Sequence, residues 1–144
     1  MGAWLPTGTR HRDSLDVADW QSEAEHEYEL FPSRSEDNRL AVHRGAADGG
    51  RFARAREHFT LEVHPGGTIV ARLGADRPTE LRVSIGGRFA QSILVQEVWE
   101  ELKLAVPSGV VAGLAEVGLE ASVDARFAAF HYWSYASLAS AETL

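Results

Sequence analysis

The chain reads as an α+β domain. One antiparallel sheet of about five to seven strands carries one long amphipathic helix and one short helix packed on it. Three observations predict this. Segments 58–64, 68–73 and 79–85 alternate, with apolar residues at the odd positions, the period of strands with one buried face. Between 94 and 106 the apolar residues recur at helical spacing instead. Glycine and proline punctuate the borders between the two patterns. A small curled β-barrel or cup is the alternative architecture.

Residues 1–12, with Pro6 and Gly8 and few apolar side chains, read as a flexible N-terminal arm, and 13–144 as a single domain. Residues 13–24 predict a short helix capped by Asp13 or Ser14. His26–Phe31 predicts a strand with Tyr28 and Leu30 on one face, and Arg39–Arg44 a second with Leu40 and Val42. The stretch between these strands is turn-like, and 45–51, with Gly45, Gly49 and Gly50, reads as a loop.

The three alternating segments follow. Side chains directly opposite in a hairpin share a face, so odd positions pair with odd ones. His64 opposite Thr68 satisfies this and leaves the loop Pro65-Gly66-Gly67, with Gly67 at a left-handed position. A helix is predicted over about 89–105, carrying Leu94, Val95, Val98, Trp99 and Leu102, between Gly86-Gly87 and Pro107. Leu102, Leu104 and Val106 also fit a strand over 102–106. Ser108 caps a shorter helix with Val110, Val111, Leu114 and Val117, ended by Gly118. Leu119–Phe127 returns to strand alternation, and the aromatic tail from 128 to 140 fits a strand or a helix.

The chain of 144 residues has no cysteine, which excludes disulfides, thiolate metal sites and cysteine nucleophiles. No basic segment followed by an apolar run opens it, and no stretch has the ~18 apolar residues of a membrane span. The expectation is a bacterial protein in the cytoplasm, without membrane partner. The net charge of −7 argues against nucleic acid. Lys103 is the only lysine among the 14 Lys and Arg residues, so nearly every positive charge is a guanidinium suited to carboxylate pairing. Residues 13–29 are acidic without Arg or Lys, whereas 34–56 are rich in arginine.

His58 and His64 lie ~20 Å apart along a strand and cannot share one ion, so no metal and no cofactor is expected. On the argued register the polar face carries His58, Thr60, Glu62, His64, Thr68, Arg72, Arg82 and Ser84, with Thr60 opposite Arg72; Thr60, Glu62, His64, Arg72 and Arg82 stand out on it. These are the candidate ligand-facing residues. An open sheet would solvate this face, and a closed one would turn it into a pocket with an acid, a base and a guanidinium. Phe130, Tyr132, Trp133 and Tyr135 are the candidate subunit contact of a homo-oligomer, or else core.

No serine-hydrolase motif, phosphate loop or zinc-protease motif occurs. Two functions stay open. One is a small soluble binding or accessory protein with a protein or apolar small-molecule partner. The other is a cofactor-independent enzyme of the cyclase or isomerase kind, acting on an apolar metabolite in a sheet-lined pocket. An enclosed pocket against the face bearing Glu62 and Arg72 would favour the enzyme.

Overall fold

Most consecutive strands of this chain do not pair with one another; they alternate between two antiparallel sheets. The computed structural model describes residues 9–31, 38–43, 46–53, 56–122 and 125–137. In chain order the elements are β1 (Thr9–Asp16), α1 (Trp20–Glu25), β2 (Glu29–Phe31), β3 (Asn38–His43), β4 (Ala46–Ala53) and β5 (Arg56–Val63). Then come β6 (Thr68–Gly74), β7 (Thr79–Ile85), β8 (Arg88–Val95), β9 (Glu100–Ala105), β10 (Gly113–Glu120) and β11 (Phe127–Ser137). One sheet has the order β3-β4-β11-β6-β9, with β1 also on β11; the other runs β2-β5-β10-β7-β8. The result is a jelly-roll-like β-sandwich rather than an α+β domain. Among the described residues, α1 is the only helix, and no helix is long and apolar enough to cross a membrane.

The odd-numbered apolar residues do face the core. Phe59, Leu61, Val63, Ile69, Ala71, Leu73, Leu81, Val83 and Ile85 are all fully buried in one cluster between the sheets. The hairpin predicted from them does not form. β5 pairs with β2 and β10, while β6 pairs with β9 and β11. The shared apolar parity, used to argue a shared face in one sheet, belongs to two sheets packed face to face. Pro65-Gly66-Gly67 is therefore a crossing between sheets. Gly66, not Gly67, takes the left-handed conformation, at φ 76°. Gly67 is glycine for another reason, since a Cβ there would stand 2.4 Å from the Tyr135 carbonyl oxygen.

The long helix over 89–105 is replaced by β8 and β9. Gly86 and Gly87, at φ 65° and 80°, form a tight two-residue turn between Ile85 and Arg88, the geometry of a β-hairpin. Ile93, Val95, Leu104 and Val106 point inward, whereas Leu94 and Val98, assigned to the apolar stripe of a helix, are about half exposed. The short helix over 108–118 is likewise absent. Val111 and Leu114 are exposed, and Val117 and Leu119 are inward residues of β10. The strand expected over 119–127 ends at Glu120, and the chain then crosses to the other sheet and begins β11 at Phe127.

Residues 13–16 belong to β1, and α1 starts later, with Asp19 as its cap accepting from the Gln21 and Ser22 amides at 3.0 and 3.2 Å. Thr9–Arg12 of the expected arm are part of β1; residues 1–8 lie outside the described residues, as do 32–37 and those after 137. The expected loop over 45–51 falls largely in β4, whose Ala46 pairs with His43 of β3. Where β2 stops, β1 and the end of α1 cover the rest of that edge of β5. The Glu62 amide donates to the Asp13 carboxylate at 2.9 Å, and the Thr60 amide to the His26 carbonyl at 2.7 Å.

β11 is the longest strand. Along one side it pairs with β1 and β4, and along the other with β6. A register shift between Ala129 and His131 puts a bulge at Phe130. Inward positions thus switch from Phe127 and Ala129 to Tyr132, which faces the core.

One inward position is a carboxyl. Glu57 is fully buried, and the hydroxyls of Tyr28 and Tyr132 both donate to it. Burial pushes its pKa up to about 7, against the two tyrosine hydrogen bonds, which favour the ionised form. Because the folded protein holds this proton more tightly than the unfolded chain, the folded state binds more protons between the two pKa values, and stability falls as pH rises across that interval. Wild-type stability is expected to drop by about 3 kcal/mol between pH 4.5 and 7.5 from this group. Glu57→Gln should remove that fraction of the slope and leave the protein more stable than wild type at pH 8. Urea melts across pH test it; an unchanged slope in the variant would refute the assignment.

Candidate functional site

The outward face of the second sheet contains a trough built by cross-strand register. His58 of β5 lies opposite Gly118 of β10, Gly118 opposite Ser84 of β7, and Ser84 opposite Phe89 of β8. Two small residues in the central strands thus lie between a histidine on one side and a phenylalanine on the other. The parallel row is Arg56, Glu120, Arg82 and Ser92. Together Arg56, His58, Arg82, Val83, Ser84, Phe89, Gly118 and Glu120 line an open cavity of about 220 Å³.

Each wall has a local cause. Phe89 is outward because a register shift between Val83 and Ser84 leaves Ala90 as an extra residue in β8. Its ring is half exposed, at 54%. The Arg82 guanidinium lies over that ring at 4.2 Å from the centroid, a cation–π contact that fixes its plane. His58 Nε2 lies 3.8 Å from a carboxylate oxygen of Glu116. At Gly118 a Cβ would stand 2.9 Å from Ser84 Oγ, so the floor of the trough is as low as a sheet surface allows. The site therefore offers an aromatic ring, a guanidinium, an imidazole, carboxylates and a hydroxyl around one concave strip.

The sandwich divides the residues expected to form one polar face. Arg82 lines the trough. Thr60 and Glu62 lie on the same sheet but beyond it: the Thr60 hydroxyl donates to the His26 carbonyl at 3.0 Å, and Glu62 accepts from Arg12 Nε at 2.8 Å. His64 is buried in the crossing after β5, its Nε2 3.4 Å from Glu62. Arg72 is on the opposite sheet. Its guanidinium pairs with Glu101 at 2.8 Å, between the rings of Trp99 and Trp133 at 4.5 and 4.9 Å. Thr60 is thus not opposite Arg72, and among the described residues Glu62 and Arg72 lie on different sheets of the sandwich.

Phe130, Tyr132, Trp133 and Tyr135 are all buried within the single chain. Tyr132 belongs to the main core, and Trp133 stacks on His131 at 4.0 Å between centroids. The subunit contact expected from them has little of their surface to use. Phe89 and Gly118 escaped the sequence reading because both had been placed in helices. The Gly86-Gly87 pair, flanked by alternating residues, was the signal that would have put Phe89 on a strand beside Ser84.

His26 is a further group with a displaced proton equilibrium. Burial lowers its pKa, but hydrogen bonds to the Asp13 carboxylate and the Ser22 carbonyl outweigh this and raise it overall. Its role is to brace Asp13 against β5, away from the trough.

The arrangement defines a β-sandwich with a shallow, mixed polar and aromatic groove on one sheet. Among solved structures the chain is similar to the C-terminal family 6 carbohydrate-binding module of a marine laminarinase from Zobellia galactanivorans. The TM-score is 0.51 at 12% identity, over 85% of this chain and 98% of that one. It is also similar to another family 6 carbohydrate-binding module, with TM-score 0.50 at 8% identity, over 83% of this chain and 89% of that one. At these identities the likeness is one of fold. No family model and no curated protein matches the sequence.

The two faces are expected to respond separately to mutation. Arg72→Ala leaves the Glu101 carboxylate, only 14% exposed, without its guanidinium partner, and should cost about 3 kcal/mol in denaturant melts. His58→Ala, on the open groove, should change stability by less than about 0.5 kcal/mol. Equal costs at the two positions would contradict this division.

Proposed function

We propose that this protein is a non-catalytic carbohydrate-binding module whose ligand occupies the trough across β5, β10, β7 and β8. The observation that carries the reading is the combination of the Gly118–Ser84 floor with the half-exposed Phe89 ring. Sugars present apolar C–H faces and polar hydroxyl edges. A pyranose ring resting against an aromatic wall, with hydroxyls directed at His58, Ser84 and Glu120, satisfies both. The neighbouring fold, shared with modules named for carbohydrate binding, supports the same reading.

The enzyme alternative has less support. It needed an enclosed apolar pocket against Glu62 and Arg72, and these residues face opposite sides of the sandwich. The space between the sheets is filled by side chains such as Phe59, Leu81, Leu119 and Tyr132.

Binding is tested by screening neutral and acidic oligosaccharides with heteronuclear NMR on the full chain. Shifts confined to Phe89, Gly118, Ser84 and His58 are expected. Phe89→Ala should weaken the best ligand at least tenfold while leaving the melting curve within about 0.5 kcal/mol of wild type. Gly118→Val, which fills the floor, should weaken it similarly. Binding that survives both changes would locate the ligand elsewhere and sink the reading.

A further inference from the structure

We infer that the trough selects a sugar unit bearing a carboxylate, that is, a uronate-containing glycan; this rests on the reading of the trough as a glycan site. The argument starts from Arg82. Its guanidinium has the Phe89 ring beneath it at 4.2 Å, and among the described residues no carboxylate lies within ion-pair distance of it. Three other arginines are held in ion pairs within the fold, Arg12 with Glu62 at 2.8 Å, Arg72 with Glu101 at 2.8 Å on the facing sheet, and Arg126 with Asp76 at 3.5 Å. Arg82 is thus a cation resting on an aromatic ring at the wall of the groove, with Glu120 opposite it on the neighbouring strand but outside ion-pair distance. A planar fork of donors matches a planar carboxylate in bidentate fashion.

The same contact argues against a purely neutral sugar. The Phe89 face that a pyranose would use for stacking is partly occupied by the guanidinium, so a neutral ring gains less there. An anionic ring recovers the difference through Arg82. Arg56 and Glu120 lie in the same row of the trough and offset one another, which leaves Arg82 as the cation of this strip. The net charge of −7 sets the scale of the ligand. Long-range repulsion disfavours densely charged polymers, and a single carboxylate on an otherwise neutral oligosaccharide escapes most of it.

The test compares an oligosaccharide bearing one galacturonate unit with its carboxyl-reduced galactose counterpart of the same linkage, by calorimetry on the full chain. A sulfated analogue serves as a third arm. The uronate is expected to bind at least tenfold more tightly than the neutral form, and Arg82→Gln to bring that ratio to about one. Phe89→Ala should abolish binding of both. Equal affinity for uronate and neutral forms, both lost in Phe89→Ala, would keep the glycan site and overturn the selection. Equal affinity for uronate and sulfate would overturn carboxylate recognition in favour of bare charge. Absence of binding by any of the three would overturn both readings.

Discussion

The buried carboxyl of Glu57 is the point at which the two sheets are tied together. It belongs to β5, yet one of its hydrogen-bond donors, Tyr132, comes from β11 in the facing sheet, and the other, Tyr28, from the segment leading into β2. A carboxyl has no place among Phe59, Leu61 and Leu119 unless its oxygens are satisfied or its charge removed, and here the two tyrosines and the raised pKa serve both needs. The geometry is demanding. Tyr132 reaches Glu57 only because the bulge at Phe130 turns it inward, and β11 holds its position only because it pairs with β1, β4 and β6 at once. Burial of one acid thereby constrains the register of the longest strand, and through it the stacking of the sheets.

Much of the sandwich was legible as local period and little of it as pairing. The odd positions of 58–64, 69–73 and 81–85 are inward, as alternation requires, but alternation says only that a strand has a buried face. It does not say whether the cover is a helix, the same sheet curled round, or a second sheet. Parity of this kind fits a hairpin between β5 and β6, but two sheets facing each other produce the same parity. The helix over 89–105 failed for a different reason. Leu94, Val95, Val98 and Trp99 satisfy a 3.6-residue spacing, but that pattern mixes the inward Val95 with the exposed Leu94 and Val98. The glycine pair at 86–87 was read as a helix boundary when its chemistry, two adjacent residues free to take positive φ, is that of a tight hairpin turn.

The candidate site inherited these errors. With β8 taken as helix, Phe89 could not stand beside Ser84, and with Gly118 taken as a helix terminus the floor of the trough had no meaning. Arg82 was identified as outward-facing from alternation alone, and that part of the inference survives because it needs only the period of one strand. Arg72 was grouped with it because the false hairpin put both on one sheet. The separation of Arg72 from Arg82 by a full sandwich is a consequence of topology, which residue spacing does not encode. Only the crossing at Pro65-Gly66-Gly67 marks it, and there the informative fact is steric: Gly67 lets the chain pass against the Tyr135 carbonyl of the other sheet.

Glycines also separate architecture from surface shape. At Gly67 and Gly74 an added Cβ would collide with backbone, 2.4 Å from the Tyr135 oxygen and 2.1 Å from the Val98 oxygen, so close packing of the main chain itself demands glycine there. At Gly118 the nearest atom is the tip of a serine side chain, the residue points away from the core, and its backbone is ordinary strand. Glycine in a strand interior costs roughly 0.5–1 kcal/mol relative to alanine. Packing at Gly118 does not call for that cost, since a serine hydroxyl can turn aside. What the missing side chain does produce is a depression between His58 and Phe89. The half-exposed Phe89 ring and the Arg82 guanidinium resting on it both line this depression. The physical case for a ligand on this face therefore begins with the residue that has no side chain, and the aromatic and charged walls acquire their meaning from it.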